Sequence, residues 1–129
     1  MIFINLPVAD LERSKSFYTG LGFCINPQFS DESVAAIVIS RAIVVMAVTR
    51  GRFGDFVTGE VGDPSASTTV VNCLSASSRD EVDSMVSRAL DSGGKTWLGV
   101  IAEGPMYGHS FADPDGHVWE VLHMDLPAG

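Results

Sequence analysis

The sequence predicts an α+β fold: one domain of duplicated βαβββ modules whose strands form a curved mixed sheet around a central pocket. Three observations carry that expectation. The order strand, helix, three strands occurs twice along the 129 residues. A helix signal falls at the matching point of each half. A stretch rich in Gly, Pro and small polar residues, "FGDFVTGEVGDPSAS", separates the halves. Module one therefore covers about residues 1–58, the linker about 59–67 and module two about 68–126.

The first module opens with the extended run "IFINLPV". In "ADLERSKSFYTGLGF" that follows, Asp10 is a plausible N-cap, and Leu11, Ser14, Phe17, Tyr18 and Leu21 recur at helical spacing until Gly20 and Gly22 stop the helix. Next come "FCINPQFS", "SVAAIVIS" and "AIVVMAVT", short and β-branched, punctuated at Asp31-Glu32 and Ser40-Arg41, which read as an antiparallel meander. The second module repeats the order. "TTVVNCL" is extended. "SRDEVDSMVSRALDSGG" sets Ser78 and Glu81 at capping-box spacing, puts Val82, Met85, Val86, Ala89 and Leu90 on one face and ends in Gly93-Gly94. "KTWLGVIA", "MYGHSFA" and "HVWEVLHM" are three more strands, the last two joined by the turn Asp113-Pro114-Asp115-Gly116. "TGLG" and "SGG" are helix ends rather than phosphate loops, since neither follows a strand and opens a helix.

Composition excludes several classes. Apolar residues make up 46% and charged residues 19% of the chain, which is a globular rather than a disordered balance. No apolar run approaches the roughly 20 residues needed to cross a bilayer, and the first residues lack a secretory-signal pattern. No membrane partner is expected, and the localisation expected is cytoplasmic. The net charge is −8 with Lys and Arg scattered, so nucleic acid is not an expected partner, while a cationic ligand suits the field. Cys24 and Cys73 lie far apart in apolar runs without a CxxC, and read as buried free thiols.

Within "FADPDGHVWEVLH" one carboxylate, Glu120, interrupts the apolar series Val118, Trp119, Val121 and Leu122. It either aims at a metal, a proton or a cationic ligand, or faces water. Alternation puts Trp119 and Phe111 on the opposite side, in the core, and sets His123 opposite to Glu120. His109 reaches Glu120 only across a bulge or register shift. Tyr107, flanked by glycines in "EGPMYGHS", is a pocket-mouth candidate. The segment "TRGRFGDF" is a solvated loop whose Phe53 and Phe56 could cover a ligand.

The stretches "NLPVADLERSKSFYTGLGF" and "FADPDGHVWEVLHMD" resemble the two signatures of the vicinal oxygen chelate superfamily, which contains glyoxalase I, extradiol dioxygenases, and the bleomycin and fosfomycin resistance proteins. The resemblance covers essentially the whole chain and implies the glyoxalase/bleomycin resistance fold. Activity is less constrained, because that fold hosts isomerases, oxygenases, transferases and metal-free binders. In metal-using members four strands each place one ligand at the pocket floor. By this resemblance the final-strand glutamate is Glu120. The first-strand histidine falls on Phe3, the fourth-segment carboxylate at or beside Val45 or Met46, and the strand opening the second half offers Val70, Val71 or Asn72. Phenyl and thioether groups donate poorly to hard cations, so a degraded metal site is expected, with no metal ligands assigned and no cofactor.

The expected site has Glu120 as its catalytic or anchoring group, with Phe3, Asn5, Met46, Asn72, Tyr107 and His109 as ligand-binding residues. Burial among Phe3, Met46 and aliphatics would raise the pKa of Glu120 and fit it to shuttle a proton or hold an amine. The leading expectation is a homodimeric protein of glyoxalase/bleomycin resistance type that binds a small organic molecule. A metal-dependent glyoxalase-type lyase or isomerase, or a dioxygenase, is the enzymatic rival. A sequestering protein for a cationic antibiotic is the binding rival. A module whose dimer surface is its function is the plainest alternative.

Overall fold

The computed structural model describes residues 1–125. Module one comprises β1 (Ile2–Val8), α1 (Leu11–Gly20), β2 (Cys24–Asn26), β3 (Val34–Val38) and β4 (Ile43–Thr49), followed by a short helix α2 (Arg50–Phe53). Module two comprises β5 (Val71–Ser75), α3 (Arg79–Asp91), β6 (Lys95–Thr96), β7 (Ile101–Glu103), β8 (Met106–Ala112) and β9 (Val118–Met124). The expected segment "KTWLGVIA" is thus two strands, β6 and β7, with Trp97 to Val100 looped out between them and both pieces pairing with β8. The segment expected as loop at "TRGRF" forms the single helical turn α2.

Both expected helix caps form. Asp10 accepts a hydrogen bond from the Arg13 amide at 3.1 Å, and Ser78 accepts one from the Glu81 amide at 3.0 Å. Glu81 reaches one residue further back than the usual box, to the amide of Ser77 at 2.7 Å and to its hydroxyl. Gly22 and Gly93 end the two helices at the same backbone φ of 103°, which a side chain would strain.

The sheets remain two. The first has the order β1-β4-β3-β2 and the second β5-β9-β8-β6, with β7 also on β8. Each contains one parallel pair, β1 with β4 and β5 with β9. One core is shared by both modules: Phe17, Tyr18, Ile37 and Val45 from the first pack with Val82, Val86, Phe111, Trp119 and Val121 from the second. The ring of Phe17 lies 6.0 Å from Phe111 and that of Tyr18 6.1 Å from Trp119, each side chain contributing about 1.5–3 kcal/mol by burial. The faces bearing these residues turn inward to the helices. The opposite faces, with Phe3, Asn5 and Met46 on sheet one and Cys73, Ser110 and Glu120 on sheet two, turn outward, as the register and strand alternation require.

The Asp-Pro-Asp-Gly turn does more than reverse the chain. Asp113, fully buried, accepts from the Tyr18 hydroxyl at 2.6 Å and from the amides of Asp115 and His117 at 3.0 and 2.9 Å. Burial still pushes its carboxyl above the ordinary aspartate range. Trp119 Nε1 donates to the same Tyr18 oxygen at 3.1 Å. Asp115 accepts from the Ala9 amide at 2.8 Å, Arg13 at 3.1 Å and the Ser14 hydroxyl at 3.4 Å. The two modules are therefore joined by a buried polar network as well as by aromatic packing.

Cys24 and Cys73 are both exposed, which corrects the expectation of buried thiols. Each sits on an edge strand, β2 or β5, and points to an outward face that no helix covers. Among the described residues no helix is long and apolar enough to cross a membrane.

Candidate functional site

Glu120 occupies the middle of β9, where the parallel neighbour is Cys73 of β5 and the antiparallel neighbour is Ser110 of β8. Its side chain shares a small cleft of about 60 Å³ with Val71, Trp97, Leu98, Gly99, Ile101, His109 and Ser110. Ser110 fixes the looped wall of that cleft. Its hydroxyl accepts from the Leu98 amide at 3.0 Å and donates to the Leu98 carbonyl at 3.3 Å. Among the described residues the sole donor to Glu120 is the Cys73 thiol, 3.9 Å from Oε1. In return the Cys73 pKa is raised, first by burial and then by the charge and hydrogen bond of Glu120. The raised pKa keeps Cys73 a thiol and a poor nucleophile, and Glu120, with one long contact to that thiol, keeps a largely unsatisfied set of lone pairs.

The expected site residues are distributed over several places. Phe3, Asn5 and Met46 lie on the outward face of sheet one, Met46 beside Asn5 in the parallel register. None of the three lines the cleft at Glu120, so within one chain Glu120 is surrounded by module two alone. His109 pairs with Val121, and no bulge separates β8 from β9; alternation turns it away from Glu120, although it contributes to the cleft lining. Tyr107 faces α3 instead, where its hydroxyl donates to Asp83 at 2.5 Å and the Arg79 guanidinium lies 5.1 Å above its ring. The other two histidines are engaged: His117 Nε2 meets the Pro7 carbonyl at 2.8 Å, and His123 bridges the Ala76 carbonyl and Asp125. Asn72 joins Asn5 at a separate cavity between the modules, with Phe53 also on its wall.

Reading the sequence missed Cys73, Trp97, Leu98 and Ser110. The glycine inside the apolar run "TWLGV" was the one available signal that this strand is interrupted.

The donor set does not fit the divalent metal that the resemblance brings to mind. Among the described residues no three His, Cys, Asp or Glu side chains gather closely enough to hold an ion. The positions flanking Glu120 supply a thiol, a hydroxyl and apolar groups, whereas Mg, Mn, Fe or Ni sites need several oxygen or imidazole donors converging.

Residues 1–40 match the family model of the bleomycin resistance protein-like N-terminal region. None of the curated proteins matches the chain. Among solved structures, a hypothetical protein, SA1046, from S. aureus is 28% identical over 95% of this chain and 92% of its own, with a TM-score of 0.82. A glyoxalase-related enzyme from Fulvimarina pelagi is 23% identical over 100% and 91%, with a TM-score of 0.83. The bleomycin resistance determinant encoded on transposon Tn5 is 19% identical over 98% of each chain, with a TM-score of 0.64. The resemblance read from the two signatures is borne out, and the fold is that of the vicinal oxygen chelate superfamily.

Proposed function

We propose that this chain, with its vicinal oxygen chelate fold, binds a small organic molecule at Glu120, in a site that a second copy of the chain completes. The observation that carries the reading is the carboxylate itself: Glu120 stands on an outward sheet face with a thiol as its single donor among the described residues, beside the exposed Trp97. A carboxylate so placed has lone pairs available for an ammonium, guanidinium or N–H group, and an indole face adds attraction for a cation. The chain's net charge of −8 acts in the same direction.

Completion by a second copy rests on area and chemistry. A cleft of about 60 Å³ holds little more than water, well under the roughly 300 Å³ of a small-molecule pocket. Phe3, Val71, Trp97 and Leu98 are 58%, 49%, 46% and 61% exposed, an apolar display that a soluble monomer rarely keeps. Sheet one of one copy over sheet two of another would bring Phe3 and Met46 to Glu120. A bleomycin resistance determinant is among the structural relatives, and the reading of this chain as a binder of a cationic compound is in keeping with that name. Proton abstraction by Glu120 in a glyoxalase-type reaction would need an electrophile that the lining residues do not supply.

Sedimentation equilibrium of the wild type and Phe3→Lys, with calorimetric titration of bleomycin into the wild type and Glu120→Gln, tests this reading. A wild-type dimer, its loss in Phe3→Lys, and binding heat that disappears in Glu120→Gln are expected. A monomer at tens of micromolar, or equal heat in wild type and Glu120→Gln, overturns it.

A further inference from the structure

We propose a second binding site, independent of Glu120, in the cavity where the linker crosses the junction of the two modules, suited to an uncharged molecule with an amide-like edge. The cavity has a volume of about 260 Å³, close to the lower end of the range for small-molecule pockets. It shares no lining residue with the cleft at Glu120.

Two carboxamides define its chemistry. Asn5 of β1 and Asn72 of β5 line it from opposite modules. Among the described residues neither side chain hydrogen-bonds to the protein; Asn5 is exposed, Asn72 is half-buried and both line the cavity, which leaves their amide groups free for a ligand. Each offers an N–H beside a C=O, which matches a ligand with an adjoining acceptor and donor, such as a primary amide, a lactam or an amino-substituted heterocycle. Phe53 and Pro7 provide apolar wall for the flat face of such a ring.

Charge gives an anion little purchase. Among the described lining residues no lysine or arginine occurs, His117 has its Nε2 committed to the Pro7 carbonyl, and the Arg50 guanidinium behind the wall is spent on the carbonyls of Gly62 and Val61, while Asp63 lines the cavity. That carboxylate is already engaged by the amide and hydroxyl of Ser65, at 3.0 and 2.6 Å, so it repels an anion without demanding a cation.

The linker wall is held in place rather than draped. Arg50 donates to the carbonyls of Gly62 and Val61 at 2.8 and 3.0 Å. Gly116, at φ 102°, approaches so closely that a Cβ there would lie 2.8 Å from the Pro64 carbonyl oxygen. A wall fixed from both modules lowers the ordering cost of binding.

The test uses ¹⁵N-labelled full-length protein at neutral pH, with nicotinamide as the amide probe and nicotinate as its anionic counterpart of the same shape. The side-chain NH₂ resonances of Asn5 and Asn72 should move together and saturably with nicotinamide, while nicotinate binds roughly tenfold more weakly or worse. Asn5→Ala, at an exposed position, should weaken nicotinamide about fivefold or more. Asn72→Ser should do the same, and Glu120→Gln should leave it unchanged. Unmoved amide resonances, equal affinity for nicotinate, or loss of binding in Glu120→Gln would each overturn the proposal, the last by assigning the probe to the other site.

Discussion

Replacing Tyr18 by Phe removes one oxygen from the centre of the junction between the modules. That oxygen donates to buried Asp113 at 2.6 Å and accepts from the Trp119 indole at 3.1 Å, and all three residues are essentially inaccessible to water. A hydrogen bond to a charged group contributes about 1.5–3 kcal/mol, and a buried donor left without an acceptor costs about 1–3 kcal/mol. The expected loss at neutral pH is therefore about 2.5–6 kcal/mol, a large share of the roughly 5–15 kcal/mol that a domain possesses. The loss should depend on pH. Burial raises the Asp113 pKa and the Tyr18 hydrogen bond opposes that rise, so Tyr18→Phe lifts it further. With the folded pKa above the unfolded one, the native state binds more protons in that window. Stability is highest below the unfolded value near 3.8 and falls as pH rises through the folded pKa. The variant should thus lie closest to the wild type near pH 4 and furthest from it at pH 7. Urea unfolding monitored by Trp119 fluorescence at both pH values measures this. A deficit below about 1 kcal/mol at pH 7, or one that does not shrink towards pH 4, would refute the network as a source of stability.

Glu120→Gln removes the negative charge that, after burial, raises the Cys73 pKa, so alkylation of Cys73 by iodoacetamide at pH 8 should accelerate several-fold, with exposed Cys24 as the unchanged internal control; mass spectrometry of the two peptides reads it. Gly116→Ala combines backbone strain at φ 102° with a clash against the Pro64 carbonyl, whereas Gly93→Ala at φ 103° meets open space. Thermal unfolding should therefore show a loss of about 1–2 kcal/mol for Gly93→Ala and a clearly larger one for Gly116→Ala. The His123 pKa is raised first by the Ala76 carbonyl and then by Asp125. Its contribution to stability should be complete below the unfolded value near 6.5 and fade as pH rises through the folded pKa, so the urea midpoint should decline over that interval in the wild type and stay flatter in His123→Gln.

Local patterns were enough for the two long helices and for most of the strands. Asp10 and Ser78 name their helix starts because a capping side chain acts within three residues of itself. Phe17 and Tyr18, Val82 and Val86, Phe111 and Trp119 could be assigned to the core because strand and helix periods are properties of neighbouring positions. The inward and outward sides of β9 followed in the same way, which is how Glu120 was separated from Trp119 and Val121. The duplicated order of elements, and with it the fold, was legible for the same reason.

What tertiary structure decided is everything that joins residues distant in the chain. Nothing local says that Asp113 and Asp115 bind α1 of the other module, since those bonds span about a hundred residues. Nor does sequence show that β6 and β7 part at Trp97 so that Ser110 pins Leu98, or that Cys73 lies opposite Glu120 across parallel strands. The placement of Phe3 and Met46 away from Glu120 is likewise a matter of which sheet faces pack together: both modules turn their helix-covered faces to one core, and this leaves the site-bearing faces outward. Sequence alone determined the two long helices, most strands and their order; the packing of the two modules determined what each outward face meets, because burial of the aromatic faces is a property of the pair and not of either module.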